Sequence, residues 1–279
     1  LGLYLELHDV SPLGAGALAG STLPLDPEQT AQTLGFSKAF RNSYDVVGDR
    51  DFVLEILQIA SQIMLHVSRF AEDLVYLSST PVSWIELPDS LCTGSSMMPQ
   101  KKNPDVMELA RGKSALVLGH TAGLCFLLKG LPSSYNRDLQ QDKEHLFPAV
   151  DTTSDTLDIL PLVISGFRTR KDRIAGHLQE GFLMATDLAE YLVRLGIPFR
   201  TAHEKVGQVV AVCVREGKRL SDLSFDRLRE WIPEVREDVL SVLDPVGALQ
   251  KRTHRGSTGA QSVEYQLKFW RSRLKGGVE

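Results

Sequence analysis

Residues 94–104 read Gly-Ser-Ser-Met-Met-Pro-Gln-Lys-Lys-Asn-Pro and set two hydroxyls, two ammonium groups and an amide within one short stretch. Such a set suits chemistry on a carboxylate. The ammonium groups attract the anion, the amide can hold an oxygen, and a hydroxyl can accept a proton if a positive field favours its alkoxide. The glycine and the paired serines disfavour regular structure, whereas Asn103-Pro104 reads as an N-cap followed by proline at the first helical position. The polar loop is therefore expected to open a helix, whose unpaired N–H groups add to the attraction of Lys101 and Lys102 for an anion. A Gly-Ser-Ser by itself is most often a solvated turn with surface lysines beside it, so the argument rests on the whole string.

That string resembles the signature loop of the fumarase/aspartase superfamily, lyases that eliminate fumarate from a substituted succinate. In its Gln-Lys-Lys-Asn-Pro form it is similar to the argininosuccinate lyases; fumarases and aspartases usually carry Gly-Lys-Val-Asn there, and adenylosuccinate lyases His-Lys-Arg-Asn. The resemblance continues in Leu128-Lys-Gly-Leu-Pro-Ser-Ser-Tyr-Asn-Arg-Asp-Leu-Gln-Gln-Asp-Lys143 and Asn42-Ser-Tyr-Asp-Val-Val-Gly-Asp-Arg-Asp-Phe52. Residues 11–20, 185–194 and 198–203 extend it over nearly the whole chain. It implies β-elimination of argininosuccinate to arginine and fumarate, a step of arginine biosynthesis in the cytoplasm, with no metal and no organic cofactor.

Elimination needs a base for a carbon acid, stabilisation of the aci-carboxylate that results, and an acid for the leaving nitrogen. The resemblance implies that Ser95 is the base, that Lys101 supplies the positive field and binds the substrate carboxylate, and that Asn103 helps hold it. Lys102 is expected to face solvent or a neighbour. Glu108 matches a carboxylate that hydrogen-bonds a catalytic histidine; read without the family it is a surface acid stabilising a helix dipole. Tyr135, Gln140 and Lys143 match positions that hold the amino-acid end of the substrate, although alone they would read as a helix entrance with solvated charges. Arg137 stands where some members have lysine, which keeps the charge and changes the geometry. Residues 93–102 are expected to close over the substrate.

Two family segments, a Ser-x-Arg-Asn-Asp-Gln region and a Thr-His-x-Gln region, have no counterpart in the 279 residues. Of the seven histidines only Thr253-His254 comes near the second, and Arg255-Gly256 follow it. With Leu1 at its start, the chain is therefore expected to be the C-terminal portion of a longer protein. In isolation it should be inactive, Glu108 lacking its histidine and the leaving guanidinium its acid. The resemblance also implies a homotetramer in which three subunits complete each active site around a shared helical bundle. Two other readings stand beside this one. Another fumarate-releasing lyase is disfavoured by the Gln-Lys-Lys loop and the run 135–143; a non-catalytic structural protein is suggested by lens crystallins, which resemble these lyases.

The elements that must position these residues are helical. From residue 51 to 77, Val53, Ile56, Ala60, Ile63, Val67, Phe70, Leu74 and Leu77 recur at steps of three and four, a bundle-type seam. A second helix should run from Pro104 to Leu128, stopped by Lys129-Gly130 with Pro132 beyond. A third, residues 142–167, contains Pro148 and Pro161 and should bend or break there. Beyond residue 170 the expected helices shorten: 187–195, 201–216, 225–231 and 261–274. Period-two alternation is confined to residues 3–7, so the fold class is all-α: a long-helix bundle over residues 1–170 and a smaller helical domain over 171–279. The apolar stripe around Ile63, Val67 and Phe70 should lie under-covered in this chain. Gly14-Ala-Gly16-Ala-Leu-Ala19 loosely matches a dinucleotide fingerprint, but Gly20, Pro24 and Pro27 prevent the helix that would receive a pyrophosphate, leaving a connector with turns.

Composition narrows the partners. The 43% hydrophobic and 24% charged fractions fit a soluble globular protein, and a net charge of −4 with mixed signs offers no basic face for nucleic acid. No apolar run reaches membrane-spanning length. Cys92, Cys125 and Cys213 are too few and too scattered for a disulfide framework or a zinc site. A small-molecule substrate is the expected partner.

Overall fold

A computed structural model of the chain describes residues 1–178 and 180–275. Two compact units divide it, Leu1–Arg170 and a second beginning at Lys171. Among the described residues nearly all regular structure is helical, and the strands are two-residue pieces.

The first unit contains α1 (Gly2–His8), α2 (Pro27–Leu34), α3 (Ser43–Val46), α4 (Asp51–Ser78), α5 (Asp105–Leu128) and α6 (Asp142–Gly166). The last three form an up-down-up bundle. Near the start of α4 and the end of α5, Val53, Leu57, Met64, Val117, Leu124 and Ala149 close one core; near the opposite end Val67, Ala71, Leu74, Met107, Ala110 and Val163 close another. Burying each large aliphatic side chain stabilises the bundle by roughly 1.5–3 kcal/mol. The polar crossing between α4 and α5 is satisfied, with Ser61 Oγ and Thr121 Oγ1 2.7 Å apart and Thr121 donating to the Leu57 carbonyl at 3.1 Å.

The seam of α4 runs through Val53, Leu57, Ala60, Met64, Val67, Ala71 and Leu74, so Leu57, Met64 and Ala71 take the deep positions expected of Ile56, Ile63 and Phe70. Those three are half-buried instead, and Ile63 and Phe70 pack beside Ile85, Leu87 and Met107. The stripe expected to be under-covered is thus covered within the unit; the exposed large apolar residues lie elsewhere, for example Leu65, Leu116 and Phe126. α6 runs unbroken through Pro148 and Pro161. Each proline removes one i to i−4 bond, at the carbonyls of Glu144 and Leu157, and the flanking turns and the packing of Ala149 and Val163 carry the helix past both. Residues 3–7 also depart from expectation: they form α1, held to α4 by Tyr4 donating to the Phe52 carbonyl and by His8 against Glu55.

The connector after α1 turns at Gly14, Gly16 and Gly20, all with positive φ, and a Cβ on Gly16 would lie 2.5 Å from the Gly20 carbonyl oxygen. Short strand pairs tie other connectors down: β1 (Val10–Ser11) with β2 (Lys38–Ala39), and β3 (Ile85–Glu86) with β6 (Arg168–Thr169). Between β3 and β6 in sequence, β4 (Thr93–Gly94) pairs antiparallel with β5 (Lys102–Asn103).

The second unit holds α7 (Lys171–Leu178), α8 (Ala185–Arg194), α9 (Phe199–Glu216), α10 (Phe225–Trp231), α11 (Leu240–Leu243), α12 (Pro245–Gln250) and α13 (Ala260–Lys275). α8 and α9 supply Leu188, Leu192, Val206 and Val209 to a core that Leu228, Ile232 and Val239 complete. Gly217, with φ of 64°, ends α9 by donating to the carbonyls of Cys213 and Val214.

Candidate active site

The β4/β5 pair turns the string 94–104 into a hairpin. Its register sets Thr93 against Asn103 and Gly94 against Lys102, and the ladder ends there; Ser95 and Lys101 flank its last rung, and the loop closes with the Lys101 N–H donating to the Met98 carbonyl at 3.0 Å. Asn103 is consequently a strand residue. The expected N-cap role is not taken: α5 begins at Asp105 with Pro104 in the cap position, and no side chain caps it. Pairing with Thr93 fixes the Asn103 backbone in an extended conformation before the helix starts.

Ser95 is half-buried and its Oγ accepts from the backbone N–H groups of Met97 at 3.2 Å and Met98 at 3.1 Å. Two donors on one hydroxyl oxygen favour its deprotonated form, since they bind an alkoxide more strongly than an alcohol. Lys101 adds an exposed ammonium to the same loop, and among the described residues no carboxylate pairs with it. Lys102 behaves differently. It is bound to Asp89, with Glu86 at 3.8 Å, and the hydrogen bond from its ammonium to Asp89 holds its pKa above the ordinary lysine value. The pair of adjacent lysines is thereby divided into one that tethers the hairpin and one left open to an anion. Glu108 sits exposed in the first turn of α5, and among the described residues it hydrogen-bonds no histidine.

The second cluster lies in the turn between α5 and α6. Gln140 Nε2, on the 3-10 turn Arg137–Gln141, donates to the Tyr135 hydroxyl at 2.9 Å, and Lys143, in the first turn of α6, donates from Nζ to Asp142 at 2.8 Å. The backbone beneath them is tightly specified. Ser134 has φ of 72°, a left-handed conformation costly for a residue with a Cβ. Asn136 Nδ2 donates to the carbonyls of Pro132 and Ser134, and a Cβ on Gly48 would lie 2.7 Å from the Ser134 oxygen. Gly48 is therefore the residue that lets the segment before α4 seat against the turn. A cavity of about 490 Å³ opens there, lined by Asn42, Tyr44, Arg50 and Ser134 among others.

Ser95, Lys101, Asn103 and Glu108 stand at one end of α5, and Tyr135, Gln140 and Lys143 stand at the other. The helix has 24 residues, which at 1.5 Å each separates the two sets by roughly 36 Å. One substrate of metabolite size cannot touch both within one chain. Sequence reading also missed Arg50 and Asp142. Both lie inside the strings 42–52 and 128–143, and the dense charge of Asp49-Arg50-Asp51 and Asp142-Lys143 was visible, but not which member is buried.

The chain matches the family model described as "Lyase" over residues 4–119 and that described as "Argininosuccinate lyase C-terminal" over residues 182–250. It is 49% identical over 267 residues to an argininosuccinate lyase of Pelotomaculum thermopropionicum, covering 96% of this chain and 58% of that protein. Among solved structures it is similar to an EDDS lyase in complex with formate, with a TM-score of 0.85 and 26% identity over 99% of this chain and 56% of the other. A class II fumarase from Schistosoma mansoni shares the fold, with a TM-score of 0.72 and 15% identity over 87% of this chain and 53% of the other. The chain thus spans a little over half the length of these relatives. Among the described residues no helix is long and apolar enough to cross a membrane.

Proposed function

The chain belongs to the argininosuccinate lyases of the fumarase/aspartase superfamily, and from that premise we propose that it supplies two parts of an active site that cleaves argininosuccinate to arginine and fumarate. The observation that carries this reading is the hairpin. Ser95 Oγ lies under two backbone donors in the same loop as Lys101, which among the described residues no carboxylate engages.

In this scheme the Ser95 alkoxide removes the proton from the carbon next to a substrate carboxylate. The carbanion is stabilised as the aci-carboxylate, whose added charge Lys101 and Asn103 hold in place. The C–N bond then breaks, its electron pair goes to the guanidino nitrogen, and that nitrogen takes a proton from an acid that another segment provides as arginine leaves and fumarate remains. Tyr135, Gln140 and Lys143 hold the amino-acid end. Side chains and amides alone perform these steps, and Glu108 orients a histidine that another segment provides. The length of α5 supports assembly from several copies, a homotetramer in which one subunit offers the hairpin and another the turn. The free thiols fit a reducing, cytoplasmic setting for this step of arginine biosynthesis.

The test is a chimera that joins the unmatched part of the Pelotomaculum enzyme to this chain. Fumarate release from argininosuccinate, lost with Ser95→Ala, is expected. A folded chimera that turns over aspartate or adenylosuccinate instead, or nothing, would overturn the reading.

A further inference from the structure

Asp142 is the first residue of α6, and it is only 3% exposed. Its two oxygens are divided between two cations. Oδ2 accepts from Arg50 Nε at 2.5 Å, and Oδ1 accepts from Lys143 Nζ at 2.8 Å. Arg50 is itself held, its guanidinium donating to the Asp49 carbonyl at 2.6 Å. Burial pushes the Asp142 carboxyl up, but the hydrogen bonds from Lys143 and Arg50 outweigh it and keep the group below the ordinary aspartate range, so it is charged at neutral pH.

The three side chains differ in exposure: Asp142 5%, Arg50 14% and Lys143 57%. A buried carboxylate needs a counter-charge, and Arg50 provides it. The exposed lysine needs none for its own solvation, so the bond from Oδ1 does something other than neutralise a buried cation. A free lysine stem loses rotamer entropy when a ligand immobilises it. Tying one of the three ammonium donors to a fixed carboxylate removes part of that loss beforehand and leaves two donors for a ligand.

We propose that Asp142 is a positioning residue, which aims the Lys143 ammonium at the amino-acid end of the substrate while Arg50 keeps Asp142 aimed. This rests on the reading that Lys143 contacts that end.

The experiment is a double-mutant cycle in the chimera, with KM for argininosuccinate and kcat measured for wild type, Asp142→Asn, Lys143→Ala and the pair. Asp142→Asn should raise KM at least about tenfold with kcat within about threefold, and Asp142→Asn should add little once Lys143 is changed to Ala. Independent, multiplying effects of the two changes would overturn the proposal, because a merely structural Asp142 does not act through Lys143. Should Asp142→Asn fail to fold, Arg50→Lys takes its place in the cycle. It keeps the charge and loses the fixed Nε contact, and the same non-additivity with Lys143→Ala decides. A wild-type chimera without turnover would count against the proposed function and leave the cycle to be read by equilibrium arginine binding to the chain itself. There, weakening by Asp142→Asn that is absent in the Lys143→Ala background supports the positioning role, and additive weakening overturns it.

Discussion

The hairpin 93–104 and the turn 131–143 stand at opposite ends of α5 and are built on opposite plans. The hairpin has a two-rung ladder, two exposed ion pairs that share Lys102, and a largely exposed loop; little beyond these and local hydrogen bonds fixes it among the described residues. The turn has a left-handed serine, an amide spanning two carbonyls, a glycine contact from another segment and a buried charge pair. The difference follows from what each must do. A loop that surrounds a reacting carbon has to open and close, whereas a subsite that recognises an amino-acid end works best when preorganised. In the proposed scheme the looser region carries the base, and the tighter one the recognition.

The largest effect tests the hairpin. Ser95→Ala in the chimera should lower kcat by at least about a thousandfold, since the base is removed and no neighbouring group replaces it. The 279-residue chain alone should release no fumarate, because among the described residues no histidine meets Glu108. If Ser95→Ala kept most of its activity, the division of labour between hairpin and turn would collapse.

The separation itself can be broken by mixing. Ser95→Ala and Lys143→Ala chimeras, each strongly impaired, should regain roughly a quarter of wild-type activity when dissociated and reassembled together, because random assembly gives that share of sites an intact hairpin and an intact turn. No recovery, with mixed assemblies shown by mass spectrometry to have formed, would mean that a single chain provides both parts and that α5 does not keep them apart.

Gly48→Ala sharpens the comparison at the turn. The new Cβ would sit 2.7 Å from the Ser134 oxygen, and backbone on both sides has to move. A cost of about 1–3 kcal/mol in stability is expected, with KM raised about tenfold as Tyr135 shifts. Denaturant unfolding and steady-state kinetics read the two. An unchanged KM would show that the turn tolerates displacement and is no more preorganised than the hairpin.

How much of this was legible in the chain differs between the two regions for the same reason. The hairpin's candidate residues are local: Ser95, Lys101 and Asn103 lie within nine residues, so one string could be set beside the family loop it resembles, and the roles assigned to them rest on that resemblance; the strand character of Asn103 was misread as a cap. The helices α4 and α5 were legible because apolar spacing and stop signals are local as well. The turn's rigidity is not local. The bond from Arg50 to Asp142 crosses 92 residues, and the seat of Ser134 on Gly48 crosses 86, so nothing in either string announces it. The continuity of α6 through two prolines was equally unreadable, because packing of Ala149 and Val163 decided it.

Acid should separate the two ion pairs. The Asp142 carboxyl is held below its ordinary value, so its contribution to stability is fully present above about pH 5 and is lost as the pH falls through the folded-state value, below about pH 4. The stability difference between wild type and Asp142→Asn, read by urea unfolding at a series of pH values, should therefore be large at neutral pH and shrink towards pH 2. A difference independent of pH would mean that the charge of Asp142 contributes nothing. By contrast Lys102 is half-exposed and paired to an exposed Asp89, an ion pair that solvent and salt screen. Lys102→Ala should leave the unfolding midpoint nearly unchanged, and its effect should be seen instead in faster amide exchange of Met97 and Met98, the two donors that face Ser95. If Lys102→Ala destabilised the chain as much as Asp142→Asn, the hairpin would be as firmly built as the turn. Its exposure would then not measure its freedom.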